Sequence, residues 1–96
     1  MRPSEALALH RDEVLRILGM AGVSNPRLFG STARGEDTDD SDLDLLIDAP
    51  PGFSLFDLAG LQQTLEALLG VPVDIGTTKF RNERIQAAIA EDARPL

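Results

Sequence analysis

An α/β domain is predicted, on three observations. Apolar runs of strand length alternate with stretches of helical period. Gly, Pro and Asn punctuate the junctions between them. The segment from Asp42 to Ile75 reads strand–helix–strand, long enough for a right-handed crossover between parallel strands. No repeat, low-complexity segment or linker divides the 96 residues, so residues 1–96 are expected to form a single domain with one modest core.

From Ser4 to Ala21 the pattern is helical, with Leu7, Val14, Ile17, Leu18 and Ala21 on one stripe. Pro3-Ser4 suits its start and Gly22 its end. Asn25-Pro26 then turns the chain into a short strand, Arg27 to Phe29. Ser31 to Gly35 is a short helical turn, and Glu36 to Ser41 a polar loop whose Asp37, Asp39 and Asp40 read as solvated. A second strand runs from about Asp42 to Asp48 and is stopped by Pro50-Pro51-Gly52. Ser54 with Asp57 three residues on resembles a capping box. The helix it opens reaches Leu69 and carries Leu58, Leu61, Leu65, Leu68 and Leu69 at core spacing, with Gly70 as its C-cap. Val71 to Ile75 is a third strand, and Asn82 to Glu91 a last helix. The single histidine, His10, falls on the first helix and is assigned a structural role.

The chemistry is concentrated in LFGSTARGEDTDDSDLDLLID, Leu28 to Asp48. An apolar run ends in Gly30-Ser31, ten residues follow, and Asp42-Leu43-Asp44 opens the next apolar run. In a strand, Asp42, Asp44, Leu46 and Asp48 face one way while Leu43, Leu45 and Ile47 face a core. Two carboxylates side by side suit a divalent ion. Mg²⁺ takes oxygen ligands, keeps waters and is usually completed by substrate phosphates. Gly30 admits close backbone approach, and Ser31 adds a hydroxyl beside backbone N–H groups suited to phosphate. Asp74, between Val73 and Ile75, is costly in a short apolar strand unless exposed or paired with a cation. Beside the second strand it would be a third carboxylate of the same site. Arg34 could reach a nucleotide phosphate, with an exposed helix Arg an equally good account, and Lys79, Arg81 and Arg84 either counter a triphosphate or are ordinary surface charge.

Each half of this motif has a bland reading. Alternating Asp and Leu describes any half-exposed strand, and Gly-Ser is a common turn. Two other motifs fail outright. Gly30 and Gly35 have P-loop spacing, but Glu36-Asp37 replaces the required Lys and Ser/Thr. Asp37, Asp39 and Ser41 imitate an EF-hand loop, but Asp42 occupies the position that requires Gly.

Composition narrows the field. There is no Cys, which excludes disulfides and thiolate metal sites. The N-terminal stretch lacks a signal-peptide apolar core and no apolar run approaches spanning length, so a cytoplasmic protein without membrane attachment is expected. A net charge of -7 disfavours direct nucleic-acid binding and suits a basic protein partner.

The Gly-Ser, ten-residue, Asp-x-Asp string resembles the signature of the DNA polymerase β-like nucleotidyltransferase superfamily. More narrowly, it is similar to the minimal nucleotidyltransferases (MNT) that serve as antitoxins of HEPN-domain toxins. The likeness covers nearly the whole chain. It implies a small mixed β-sheet flanked by helices, α/β or by some schemes α+β. It implies two Mg²⁺ ions on Asp42 and Asp44, with Asp74 helping to hold the ion that activates the attacking hydroxyl. Gly30 and Ser31 match the residues that position the β- and γ-phosphates. The implied reaction moves AMP from ATP to a hydroxyl, a tyrosine of the HEPN toxin in the family, with the acceptor presented in trans. The alternatives are a catalytically inactive antitoxin that neutralises its partner by binding, or a nucleotidyltransferase subunit for a small-molecule or RNA acceptor.

Overall fold

The computed structural model describes residues 1–77 and 93–96. Within them lie α1 (Pro3–Met20), β1 (Ser24–Phe29), α2 (Gly30–Arg34), β2 (Leu43–Asp48), α3 (Leu55–Leu69), β3 (Val73–Thr77) and β4 (Arg94–Pro95). The helix expected over residues 82–91, with Lys79, Arg81 and Arg84, lies outside the described residues. The strands form one sheet in the order β3-β2-β1-β4. β2 is parallel to β3 and antiparallel to β1, which is antiparallel to β4. The sheet is therefore mixed, as expected. Its parallel pair is joined through α3, the crossover a parallel connection requires.

Alternation along β2 builds the core. Leu43, Leu45 and Ile47 are fully buried against Leu7, Val14 and Leu18 of α1 and Leu61, Leu65 and Leu69 of α3. Both helices thus cover one face of the sheet. Each such side chain contributes about 2 kcal/mol through area removed from water. Leu46, on the opposite face, is equally buried. The capping box of α3 forms as read: Ser54 Oγ accepts from the Asp57 N–H at 3.1 Å and Asp57 Oδ2 from the Ser54 N–H at 2.9 Å. Gly70 closes the helix at φ 71°, the left-handed conformation that favours glycine. No described helix is long and apolar enough to cross a membrane.

Two expectations need correction. β1 begins at Ser24, and Asn25-Pro26 forms an irregularity inside it rather than a turn before it. The pairing passes from Ser24↔Asp48 directly to Arg27↔Leu46. Asn25 absorbs the distortion at φ 50°, a region asparagine tolerates better than most residues. Asp48 then gathers Asn25 Nδ2 at 3.2 Å and Arg27 Nη2 at 2.7 Å, which commits it to holding β1 on β2.

Asp37 is the second correction. It is 4% exposed, not solvated. Its Oδ2 accepts a 2.8 Å hydrogen bond from the Ser4 backbone N–H in the first turn of α1. Those first N–H groups have no partner within a helix, and Pro3 brings none. A carboxylate there also meets the positive end of the helix dipole. The loop after α2 is thereby tied to the start of α1, 33 residues away. Burial pushes the Asp37 pKa up, but hydrogen bonds from Ser4 and its own backbone, with the charge of Arg2, outweigh it and hold the carboxyl below its ordinary value.

A lowered folded-state pKa gives stability that is fully present above the unfolded carboxylate pKa and lost as pH falls through the folded value. Asp37→Ala is expected to cost about 1–2 kcal/mol at pH 7. Urea denaturation of both proteins should show the gap narrowing steadily below about pH 4. A gap independent of pH would show that the charge of Asp37 is not what caps α1.

Candidate active site

One row of the sheet organises the site. Phe29 of β1 is in register with Asp44 of β2, which is in register with Asp74 of β3. In-register residues share a face, and neighbouring strands lie about 4.8 Å apart. Asp44 therefore has Asp74 on one side and, on the other, the end of β1 where the chain passes into Gly30-Ser31. The side of the sheet opposite α1 and α3 thus carries the acids.

The two flanks are fixed differently. On one, the α3 side chain of Glu66 accepts the Val73 backbone N–H at 3.0 Å, seating β3 one residue before Asp74. On the other, Gly30 makes the tight turn from β1 into α2 at φ 70°. A Cβ on residue 30 would overlap Asp44 Oδ2 and crowd its Cγ. Glycine is thus required twice at this position, by backbone conformation and by the carboxylate resting against it. Gly35 ends α2 at φ 72° with nothing within 4 Å of the place a Cβ would occupy, so its requirement is conformational alone.

Asp42 stands one residue before β2 and is exposed, so strand alternation does not fix it as expected. Neighbouring backbone contacts hold it instead. Buried Thr32 of α2 donates through Oγ1 to the Asp42 carbonyl at 3.4 Å, and the next residue, Leu43, donates its N–H to the Pro72 carbonyl at 2.8 Å. The loop before it is closed by Thr38 N–H to Ser41 Oγ, 2.9 Å, and Ser41 N–H to the Thr38 carbonyl, 3.0 Å. Ser31 is half-buried in the first turn of α2. Arg34, expected to face a phosphate, has its Nε 3.0 Å from Glu36 Oε2.

The sheet therefore brings Asp44 and Asp74 together beside Gly30, with Asp42 at the strand's beginning. Among the described residues, no three His, Cys, Asp or Glu side chains converge on one position that would hold an ion by themselves. That arrangement fits Mg²⁺, whose sites commonly use one or two carboxylates, waters and substrate phosphates. Hard oxygen donors suit this ion, and a cation would offset repulsion between like charges one strand spacing apart.

Thr32, Asp37 and Glu66 support this geometry without any sequence pattern marking them. They act on backbone groups 10, 33 and 7 residues away, pairings that follow only from the fold.

Gly30→Ala is expected to destabilise by several kcal/mol, since left-handed strain of about 1–2 kcal/mol is joined by displacement of the Asp44 carboxylate. Gly35→Ala should lose only the strain. Parallel denaturant titrations compare them, and equal losses would show that Asp44 does not rest on Gly30.

The chain's likeness to known proteins follows the same elements. Residues 7–96 match the nucleotidyltransferase domain family. A Methanocaldococcus jannaschii protein provisionally named a protein adenylyltransferase is 42% identical over 81 residues, 84% of this chain and 87% of that protein. A structure described as a provisional minimal nucleotidyltransferase superposes with a TM-score of 0.83 at 42% identity, covering 97% of this chain and 95% of the other. The fold is also shared, at TM-score 0.72 and 17% identity over 92% of this chain and 69% of the other, with a chain from the complex of tri-AMPylated Shewanella oneidensis HEPN toxin with MNT antitoxin. This chain belongs to the nucleotidyltransferase domain family, as one of its minimal nucleotidyltransferase enzymes.

Proposed function

We propose that this chain is a Mg²⁺-dependent protein adenylyltransferase that moves AMP from ATP to a tyrosine hydroxyl of a HEPN-type toxin and thereby acts as its antitoxin. The observation that carries the reading is the row Phe29–Asp44–Asp74 with Gly30 against Asp44. The adenylyltransferase name of the M. jannaschii relative supports the nucleotide, and the AMPylated toxin complex supports the acceptor by analogy of fold.

Asp42, Asp44 and Asp74 would hold two Mg²⁺ ions, which when bound lower the pKa of an attacking hydroxyl and neutralise a departing pyrophosphate. Gly30 would let backbone approach the β- and γ-phosphates closely, and Ser31 would offer them a hydroxyl donor. Glu36 holds Arg34 beside α2, so a phosphate that recruits Arg34 competes with that ion pair. In the transfer, the acceptor oxygen bonds to the α-phosphorus, the bond to pyrophosphate breaks and the hydroxyl proton passes to solvent. These 96 residues contain no Tyr, so a tyrosine acceptor lies outside them.

The test combines α-labelled ATP, Mg²⁺, this protein and the product of its neighbouring gene. Label should appear on the neighbour, resist denaturing gel electrophoresis and map to tyrosine. In the Asp42→Asn, Asp44→Asn double variant it should fall to background, because Asn keeps the shape but removes the charge that holds the ions. A neighbour silenced equally by the double variant, with no label under any condition, would make this chain a binding antitoxin instead.

A further inference from the structure

The acid row is not braced equally along its length. Asp44 lies on β2, between β1 and β3, and its carboxylate rests against Gly30. Asp74 lies on β3, which among the described residues is an edge strand, so the sheet braces it from the β2 side alone. In a parallel pair, a residue bonds to the two neighbours of its register partner rather than to the partner itself. Leu43, in register with Val73, accordingly donates its N–H to the Pro72 carbonyl at 2.8 Å. The Val73 N–H therefore points away from β2, although its residue is only 3% exposed. A buried donor on an outer edge needs a partner.

Glu66 supplies that partner. Its Oε2 accepts the Val73 N–H at 3.0 Å from the last turns of α3. The same residue's backbone carbonyl accepts the Gly70 N–H at 2.8 Å where the helix ends. One residue thus fixes both ends of the turn from α3 into β3. The Val73 side chain is meanwhile packed into the core with Leu65 and Leu69. With side chain and N–H both held, Val73 has little freedom to rotate about the strand axis. Successive side chains point to opposite faces, so the direction of Asp74 follows from that of Val73. Glu66 does for the outer edge of β3 what β1 does for β2.

We propose that Glu66 is a positioning residue for the transfer reaction, one that aims Asp74 at the site through the backbone of β3. The proposal rests on the reading of the chain as a protein adenylyltransferase with Asp74 among its acids. It assigns the role to the reach of the side chain and not to its charge. The bond runs to a neutral backbone N–H, and Gln brings a carbonyl oxygen on a side chain of equal length. Asp keeps the charge but is one methylene too short. The Gly30–Asp44 contact lies on the β1 side of Asp44 and involves neither Glu66 nor β3. Loss of the Glu66 bond therefore displaces Asp74 and leaves that contact in place.

Glu66→Gln, Glu66→Asp and Glu66→Ala are compared with wild type in label transfer to the neighbouring gene's product, across ranges of ATP and Mg²⁺. Amide hydrogen exchange at Val73 and thermal unfolding, measured without nucleotide or metal, report the bond and the fold. Rates are taken per folded molecule below every unfolding midpoint, which separates aim from stability. Glu66→Gln should keep Val73 protected and label at the wild-type rate. Glu66→Asp and Glu66→Ala should lose that protection, lower kcat at least about tenfold and raise half-saturating Mg²⁺, with KM for ATP unchanged. Activity lost in Glu66→Gln while Val73 stays protected assigns the role to charge and overturns the proposal. Wild-type kcat and Mg²⁺ dependence in Glu66→Asp and Glu66→Ala, once Val73 has lost protection, makes the bond purely structural and overturns it too. Both of those outcomes leave the adenylyltransferase reading standing. If wild type labels nothing, that reading falls and the role of Glu66 falls with it.

Discussion

The site depends on a single point of contact: the carboxylate of Asp44 rests where any side chain on residue 30 would stand. Two sheet strands and a helix meet there. β1 ends at Phe29, opposite Asp44, and the chain must turn at once into α2 without pushing the neighbouring carboxylate away. Only a residue without a Cβ satisfies the turn and the contact together. The consequence is that the Asp44 carboxylate is held directly against the first turn of α2. Glycine and acid are therefore one feature of this fold, although ten residues separate the Gly-Ser pair from Asp42.

What surrounds that contact is a set of remote ties to backbone. Asp37 reaches the start of α1, Thr32 the carbonyl of Asp42, and Glu66 the N–H of Val73. Side chains of this kind fix loops and strand ends at little cost, because each satisfies a main-chain group that would otherwise need water. Their common effect is to locate the two ends of the acid row. Asp37 and Thr32 set the approach to Asp42, and Glu66 sets the strand that presents Asp74.

These ties also mark the boundary between what the chain's pattern reveals and what it conceals. The capping box at Ser54 and Asp57, the glycine cap at Gly70 and the buried alternation of Leu43, Leu45 and Ile47 are local, so sequence spacing displays them directly. Asp74 was legible in part: an acid between Val73 and Ile75 has to be exposed or paired with a cation, and the fold leaves it exposed, in parallel register with Asp44. Asp37 was not legible. An acid among Asp39, Asp40 and Glu36 looks solvated, and only the folded chain brings the Ser4 N–H to it. Asn25-Pro26 misled for a related reason, since the same two residues serve a turn or an irregular strand equally well. Pairing with Asp48 decides between them.

Charge and apolar surface are divided across the sheet, and α3 connects the two sides. Its first turn carries Phe56 and Asp57, and nine residues later, about 14 Å along the axis, Glu66 holds β3 beside Asp74. A helix capped at both ends and buried through Leu61, Leu65 and Leu69 is a rigid spacer rather than a hinge. α3 thereby fixes the distance between the exposed apolar side chains at its own start, Leu55 and Phe56, and the strand that carries Asp74, and the two lie on opposite sides of the sheet.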